Sequence, residues 1–204
     1  MTDNPYGLRV EGPAKVALLD WECNQQLTEY TISRLIRGGT PWFHLPYLRG
    51  KQCLVDDIER IIDFLQKHEI ELILIDSLGQ AAGSDKFDSA GKVSALRLFE
   101  ALRQVNATPL IIAQNAKGEA DTGKKTIYGS TYFTYYARNI FELRKSENTY
   151  NPDEKSIALF HQESNYSKKY DPIGFHLTFT PDSISIEREE VSAAEFTMRL
   201  SQTG

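Results

Sequence analysis

The stretch from Ile70 to Ser77 constrains this chain most. Leu72 to Ile75 are four consecutive apolar residues that run straight into an acid, Asp76, and a hydroxyl, Ser77, with the turn-rich Leu-Gly-Gln-Ala-Ala-Gly-Ser behind them. A short unbroken apolar run bounded by turn signals predicts a strand buried on both faces, the kind found inside parallel sheets. An acid at the carboxyl end of such a strand lies where open α/β sheets place their ligands, which makes Asp76 the first candidate functional residue. The alternative is an acid that merely caps the following helix.

At 204 residues the chain can bury a full core. We read 1–190 as one α/β domain and 191–204 as a C-terminal helix or tail. The net charge of −5 means that any nucleic-acid contact must come from a local basic patch. Cys23 and Cys53 have neither zinc spacing nor a CxxC pairing and read as free thiols. With no signal peptide and no apolar run of membrane-spanning length, the expectation is a soluble, cytoplasmic protein without a membrane partner.

Taken in order, 1–15 reads as an irregular lead-in with at most a short strand at Leu8 to Val10. Val16 to Asp20 is a second short apolar run ending in carboxylates, and Asn24 to Ile36 has helical spacing with Gly38 and Gly39 as its stop. Phe43 to Leu48 reads as a strand interrupted by Pro46. Leu54 to His68 is a strongly amphipathic helix, and Ser89 to Val105 is another with Val93 facing inward. Between them, the segment after Ser77 reads as a loop. Pro109 to Ala113 reads as a further buried strand ending at Gln114. This alternation predicts a parallel sheet with helices on both faces. Beyond it, 115–125 reads as a mobile loop, and Tyr128 to Leu143 as a short helix running into a strand. Three alternating segments, Ser156 to His161, Phe175 to Phe179 and Ser183 to Glu187, predict an antiparallel extension, with Pro181-Asp182 as a turn. Ser192 to Glu195 fits a capping box.

An apolar strand ending in Asp has the form of a Walker B motif. Together with Asp20-Trp21-Glu22, Leu110 to Gln114 followed by Lys117-Gly118, Gly129-Ser130 through Arg138, His161 to Asn165 and Pro172 to Phe175, it resembles the RecA-like ATPases of the RepA type. These are AAA-family proteins of phages and plasmids related to hexameric replicative helicases. The resemblance covers roughly 16–187. It implies a P-loop NTPase core that uses ATP and Mg²⁺, assembles as a homo-oligomeric ring, possibly a hexamer, and works in the replication of DNA in mobile elements.

Residue by residue, the resemblance makes Glu22 the base that activates water and Asp76, with its neighbour Ser77, the Mg²⁺ side of the site, acting through water. Gln114 becomes the sensor of the γ-phosphate, and Arg138 a charge reaching the neighbouring subunit's nucleotide. A solvated Glu22, a backbone-bonded Gln114 and a strand-edge ion pair at Arg138 remain the structural alternatives. Two departures stand out. No GxxxxGK[ST] phosphate loop occurs in this sequence. Glu163 stands where the family carries a lysine, with Lys168 and Lys169 close enough in sequence to compensate. The expectation is therefore an ATPase domain that is truncated or degenerate at the P-loop, or one completed by a partner supplying it. A non-catalytic assembly or DNA-binding module descended from such an ATPase is the alternative. Whether this chain is itself an enzyme stays open.

Lys117, Lys124 and Lys125, with the aromatics Tyr128 to Tyr136 behind them, have the composition of a single-stranded DNA contact; core packing of the rings is the other reading. In a RecA-like sheet the P-loop strand flanks the sensor strand, so its absence predicts a vacant edge beside Pro109 to Ala113. We expect the Arg138 to Leu143 strand to close it, with Tyr6 to Val10 or a strand from a second polypeptide as the other candidates.

Overall fold

The computed structural model describes residues 12–83, 91–114, 132–146 and 151–191. These divide into two compact units: 12–28 with 43–137, and 29–42 with 138–191. The expectations for 1–11, 115–131 and 192–204, among them Lys117, Lys124 and Lys125, lie outside the described residues.

The first unit is a parallel sheet. Its strands are β1 (Val16–Asp20), β2 (Tyr47–Arg49), β3 (Leu72–Asp76) and β4 (Thr108–Ile112), in the order β2-β1-β3-β4. β1 and β3 pair in parallel with Asp20 beside Asp76, so both acids reach the same end of the sheet. On one face Ala17, Leu19, Ile73 and Ile75 are buried. They pack with Ile61 and Leu65 of α2 (Ile58–His68), with Ala95, Leu98 and Leu102 of α4 (Lys92–Leu102), and with Leu78 and Ala81 of α3 (Leu78–Ala82). Phe133 of α5 (Tyr132–Tyr136) joins them, and Tyr132 and Tyr136 pack against the cluster, so these rings belong to the core.

Several expectations are corrected. The segment after Ser77 is not a plain loop; it forms the short helix α3, because Leu78 and Ala81 share an apolar face that the core buries. α2 begins four residues later than the periodicity suggests, and Asp57 before it turns its carboxylate to the Arg60 guanidinium and caps no helix N–H. That guanidinium holds the Asp57 carboxyl below the usual range. β2 starts only after Pro46, a residue unable to donate to a ladder. Val93 is exposed.

β4 pairs in parallel with β3 and, contrary to expectation, is not buried. Leu110 and Ile112 are 51% and 50% exposed. The backbone N–H of Thr108 bonds Glu71 O, so by the alternation of a parallel strand Pro109 turns its missing donor away from β3. β4 ends the described sheet. The Arg138 to Leu143 strand does not close it: that segment, β5 (Asn139–Lys145), pairs instead with β6 (Glu154–Ser164). A strand that follows close in sequence and alternates in register makes the local antiparallel pairing easier to close than a distant parallel one.

The second unit is the expected antiparallel extension, with strand order β5-β6-β7-β8, where β7 is Ile173–Phe179 and β8 Ile184–Glu189. Pro181-Asp182 turns between the last two. The later turns of α1 (Gln25–Arg37) lie on this turn, where the Arg34 guanidinium bonds Thr180 O and Tyr30 Oη reaches Pro181 O at 3.5 Å. Gly38 is required there, because a Cβ would meet the Ile184 carbonyl.

Burial ranks the strands for mutation. Ile75→Ala is expected to cost about 2–5 kcal/mol in urea unfolding. Leu110→Ala, at a half-exposed position, should cost under about 1.5 kcal/mol.

Candidate functional site

The two acids that end β1 and β3 have opposite fates. Asp20 is 1% exposed and fully engaged. Its Oδ1 accepts the backbone N–H groups of Glu22 and Cys23, each at 2.8 Å, and its Oδ2 accepts Tyr47 Oη at 3.2 Å. Arg49 Nη1 stands 3.5 Å from Oδ1 and also donates to Cys23 O. The Tyr47 hydroxyl is pushed up by burial and by the Asp20 charge. An acid bonding the amides two and three residues on folds the chain into a tight turn.

The rest of that turn is tied down on both sides. Trp21 N–H bonds Asp76 O at 2.6 Å, which extends the β1–β3 pairing by one residue. The Trp21 indole donates to Gln52 O at 2.7 Å and lies over Gly50, where a Cβ would collide with the ring. Gly50 N–H in turn bonds Asp20 O at 2.8 Å. Glu22 is the exposed member of a turn whose neighbours are anchored.

Across from it, Ser77 is buried and is the residue before α3, yet its side chain caps no helix N–H. Its hydroxyl donates instead to Glu22 Oε1. The peptide bond between Asp76 and Ser77 is cis. Glu22, Asp76 and Ser77 are thus brought together at one end of the sheet, beside the buried Asp20. Asp76 is the strained member. Burial, then the Glu22 charge and then the Asp20 charge push its carboxyl above the usual range. No basic side chain among the described residues pairs with it, so the site carries excess negative charge.

That charge and those oxygens fit a hard divalent cation. No group of three ligating side chains among the described residues could enclose one directly. Mg²⁺ commonly keeps several waters and takes one or two carboxylates plus substrate phosphates, so an incomplete protein shell suits it.

Gln114 is exposed, two residues past Ile112, which pairs with Asp76, and so lies at the same end of the sheet. Arg138, Lys168 and Lys169 belong to the antiparallel unit, all exposed. There Arg138 O accepts Asn165 N–H at 3.0 Å and its guanidinium lies 5.5 Å from the Tyr166 ring centre, on the loop that carries both lysines. Sequence reasoning did not single out Asp20, Tyr47 or Arg49 as site residues. Only the acid two positions before Glu22 hinted at them.

The raised Asp76 carboxyl has a stability consequence. Between its ordinary and its raised value the folded chain binds more protons than the unfolded one, so this group's contribution falls as pH rises through that window. Asp76→Asn is therefore expected to raise Tm at neutral pH, by about 2–4 °C for each kcal/mol of repulsion removed, with the gain shrinking in acid. Thermal melts from pH 4 to pH 8 check it.

No family model matches this sequence, and no curated protein matches it. Among solved structures the chain is similar to a KaiC-like protein from the hyperthermophilic archaeon Pyrococcus horikoshii OT3, with a TM-score of 0.58 at 13% identity, over 85% of this chain and 75% of that one. A parallel sheet flanked by helices, followed by an antiparallel sheet, with this likeness, shows the fold: an α/β architecture with a RecA-like core.

Proposed function

We propose that this chain carries the water-activating and metal-facing side of an ATP-hydrolysing site in a RecA-like, RepA-type protein of phage or plasmid replication. The observation that carries the proposal is the Ser77–Glu22 hydrogen bond, which sets a carboxylate beside Asp76 at the carboxyl end of the parallel strands. Asp76 would hold Mg²⁺ through water, and the bound ion would supply positive charge against the phosphate oxygens. Ser77 orients Glu22 through Oε1, which leaves Oε2 to accept a proton from the attacking water. The anchored Asp20 turn keeps that oxygen in place without a loop closing. Gln114, at the same end of the sheet, is suited to a γ-phosphate contact. Arg138, Lys168 and Lys169 are candidates for a neighbouring subunit's nucleotide, and Lys117, Lys124 and Lys125 for single-stranded DNA.

The phosphate cradle is the part this sequence does not contain. Backbone amides and a lysine at the phosphates supply much of nucleotide affinity, so a longer form or a second polypeptide providing them would complete the site. A second reading, a non-catalytic assembly or DNA-binding module with the same fold, is favoured by that same missing motif and by Glu163.

The 204-residue chain alone is expected to show no ATP hydrolysis above background. Strong turnover that Asp76→Asn abolishes would refute the need for an added cradle. In a form that hydrolyses ATP, Glu22→Gln should leave nucleotide affinity near that of the parent and lower kcat about 10²–10⁴-fold. Equal loss of binding would remove Glu22 from the role of base.

A further inference from the structure

Among the described residues the antiparallel sheet ends on β5 at one side and β8 at the other, and the two edges differ in kind. On β8 Glu187 and Arg188 are exposed while Ile184 is buried, so that edge carries charge, which discourages strand addition. β5 is seven residues long and exposes Phe141 at 42% and Leu143 at 59%. The Phe141 ring is held on its face by the buried His161, with ring centres 4.4 Å apart at 17°. The register shift against β6 falls between Ile140 and Phe141, which leaves Phe141 to Lys145 regular. A regular, partly apolar edge without proline invites another strand.

Two hydrogen bonds fix which backbone groups of β5 are turned outward. Ser146 N–H bonds Ser156 O at 2.9 Å, and Arg138 O accepts Asn165 N–H at 3.0 Å. The even-numbered residues between them therefore direct N–H and C=O to β6, and by alternation Phe141, Leu143 and Lys145 direct theirs to the open edge. No strand among the described residues pairs there. The side chains divide by the same alternation: Phe141, Leu143 and Lys145 share one face, and Glu142 and Arg144 the other. On that second face Arg144 Nη2 is 2.7 Å from Glu142 Oε2, and Gln162 Nε2 donates to the same oxygen at 2.8 Å.

A second copy of the strand can meet this edge antiparallel about a twofold axis, and charge selects the register. An axis at Glu142 sets Glu142 opposite Glu142, and one at Arg144 sets Arg144 opposite Arg144. An axis at Phe141 sets Glu142 opposite Ile140 and Arg144 opposite Arg138. With the axis at Leu143, Glu142 of each copy lies opposite Arg144 of the other, in the pairs without hydrogen bonds where side chains approach nearest. Leu143 then meets Leu143, and Phe141 meets Lys145, in hydrogen-bonded pairs that supply about six interchain bonds.

We propose that two copies of this chain pair through β5, antiparallel and centred on Leu143, to form one sheet that continues across both molecules. The contact is isologous and closes at two copies, unlike the head-to-tail contacts of a ring. It uses no residue of the site around Glu22 and Asp76. One strand pair is a small contact, so the dimer dissociates on dilution.

Sedimentation velocity of the 204-residue chain without nucleotide, at protein concentrations from about 5 μM to about 500 μM, tests it. The average mass is expected to rise toward two copies and no further. Leu143→Pro removes an outward N–H, where an edge strand tolerates proline, and should lower the association constant by about 10-fold or more. Glu142→Lys sets like charges opposite one another in both pairs, as Arg144→Glu does. Each of these variants alone is expected to stay monomeric, whereas an equimolar mixture of the two should associate. In the unaltered chain, amide hydrogen exchange should slow at Phe141, Leu143 and Lys145 as concentration rises, a readout that needs no variant to fold. A monomer throughout the range, an assembly larger than two copies, or failure of the two folded charge variants to associate when mixed would each overturn the proposal. So would outward amides protected equally at every concentration, because another segment would then already cover the edge.

Discussion

One buried carboxylate holds the functional end of the parallel sheet in shape. Asp20 ends its strand in the interior, where an ionised acid is costly unless its oxygens are fully used. Two backbone amides, a phenol and a guanidinium use them. Because two of those donors are the amides of Glu22 and Cys23, satisfying the acid is the same event as folding the turn. Because the others are Tyr47 and Arg49, it also fastens β2 to β1. The exposed carboxylate of Glu22 inherits its position from a turn built on the buried Asp20.

The neighbouring strand shows the opposite choice. Asp76 occupies the matching place in the register, yet no donor among the described residues compensates its burial, and the Glu22 and Asp20 charges oppose its ionisation. An arrangement that costs stability in this way is common where a positively charged ligand is to be received. Asp20 is thus spent on architecture, while Asp76, its neighbour in the register, carries an opposed charge. Ser77 follows the same logic, turning its hydroxyl from the helix end it precedes toward Glu22.

Exposure tells a related story at the margins. β4 is apolar from Pro109 on, yet Leu110 and Ile112 are half exposed, and Pro109 turns its missing donor to the outer edge. In the antiparallel unit Tyr166, Tyr170 and Phe141 are exposed, and so is the aliphatic Leu143 at 59%. A half-exposed apolar strand suits burial by further protein.

Periodicity alone located most elements, because a strand buried on both faces and an amphipathic helix each leave a pattern that local chemistry enforces. Val16 to Asp20, Leu72 to Asp76 and the three alternating segments from Ser156 to Glu187 were legible for this reason, and so was Asp76 as a candidate, since the carboxyl end of a buried strand is where ligands gather. The burial of β4 was not legible, because apolar composition reports what a strand could bury and not what is there to cover it. Nor was the pairing of β5, which depends on which partner closes the cheaper loop. The roles of Asp20, Tyr47 and Arg49 depend on contacts between residues 27 and 29 positions apart, as does the meeting of Ser77 with Glu22 across 55. No spacing rule spans such distances; only the parallel registers of β1 with β2 and with β3 bring those groups to one end of the sheet.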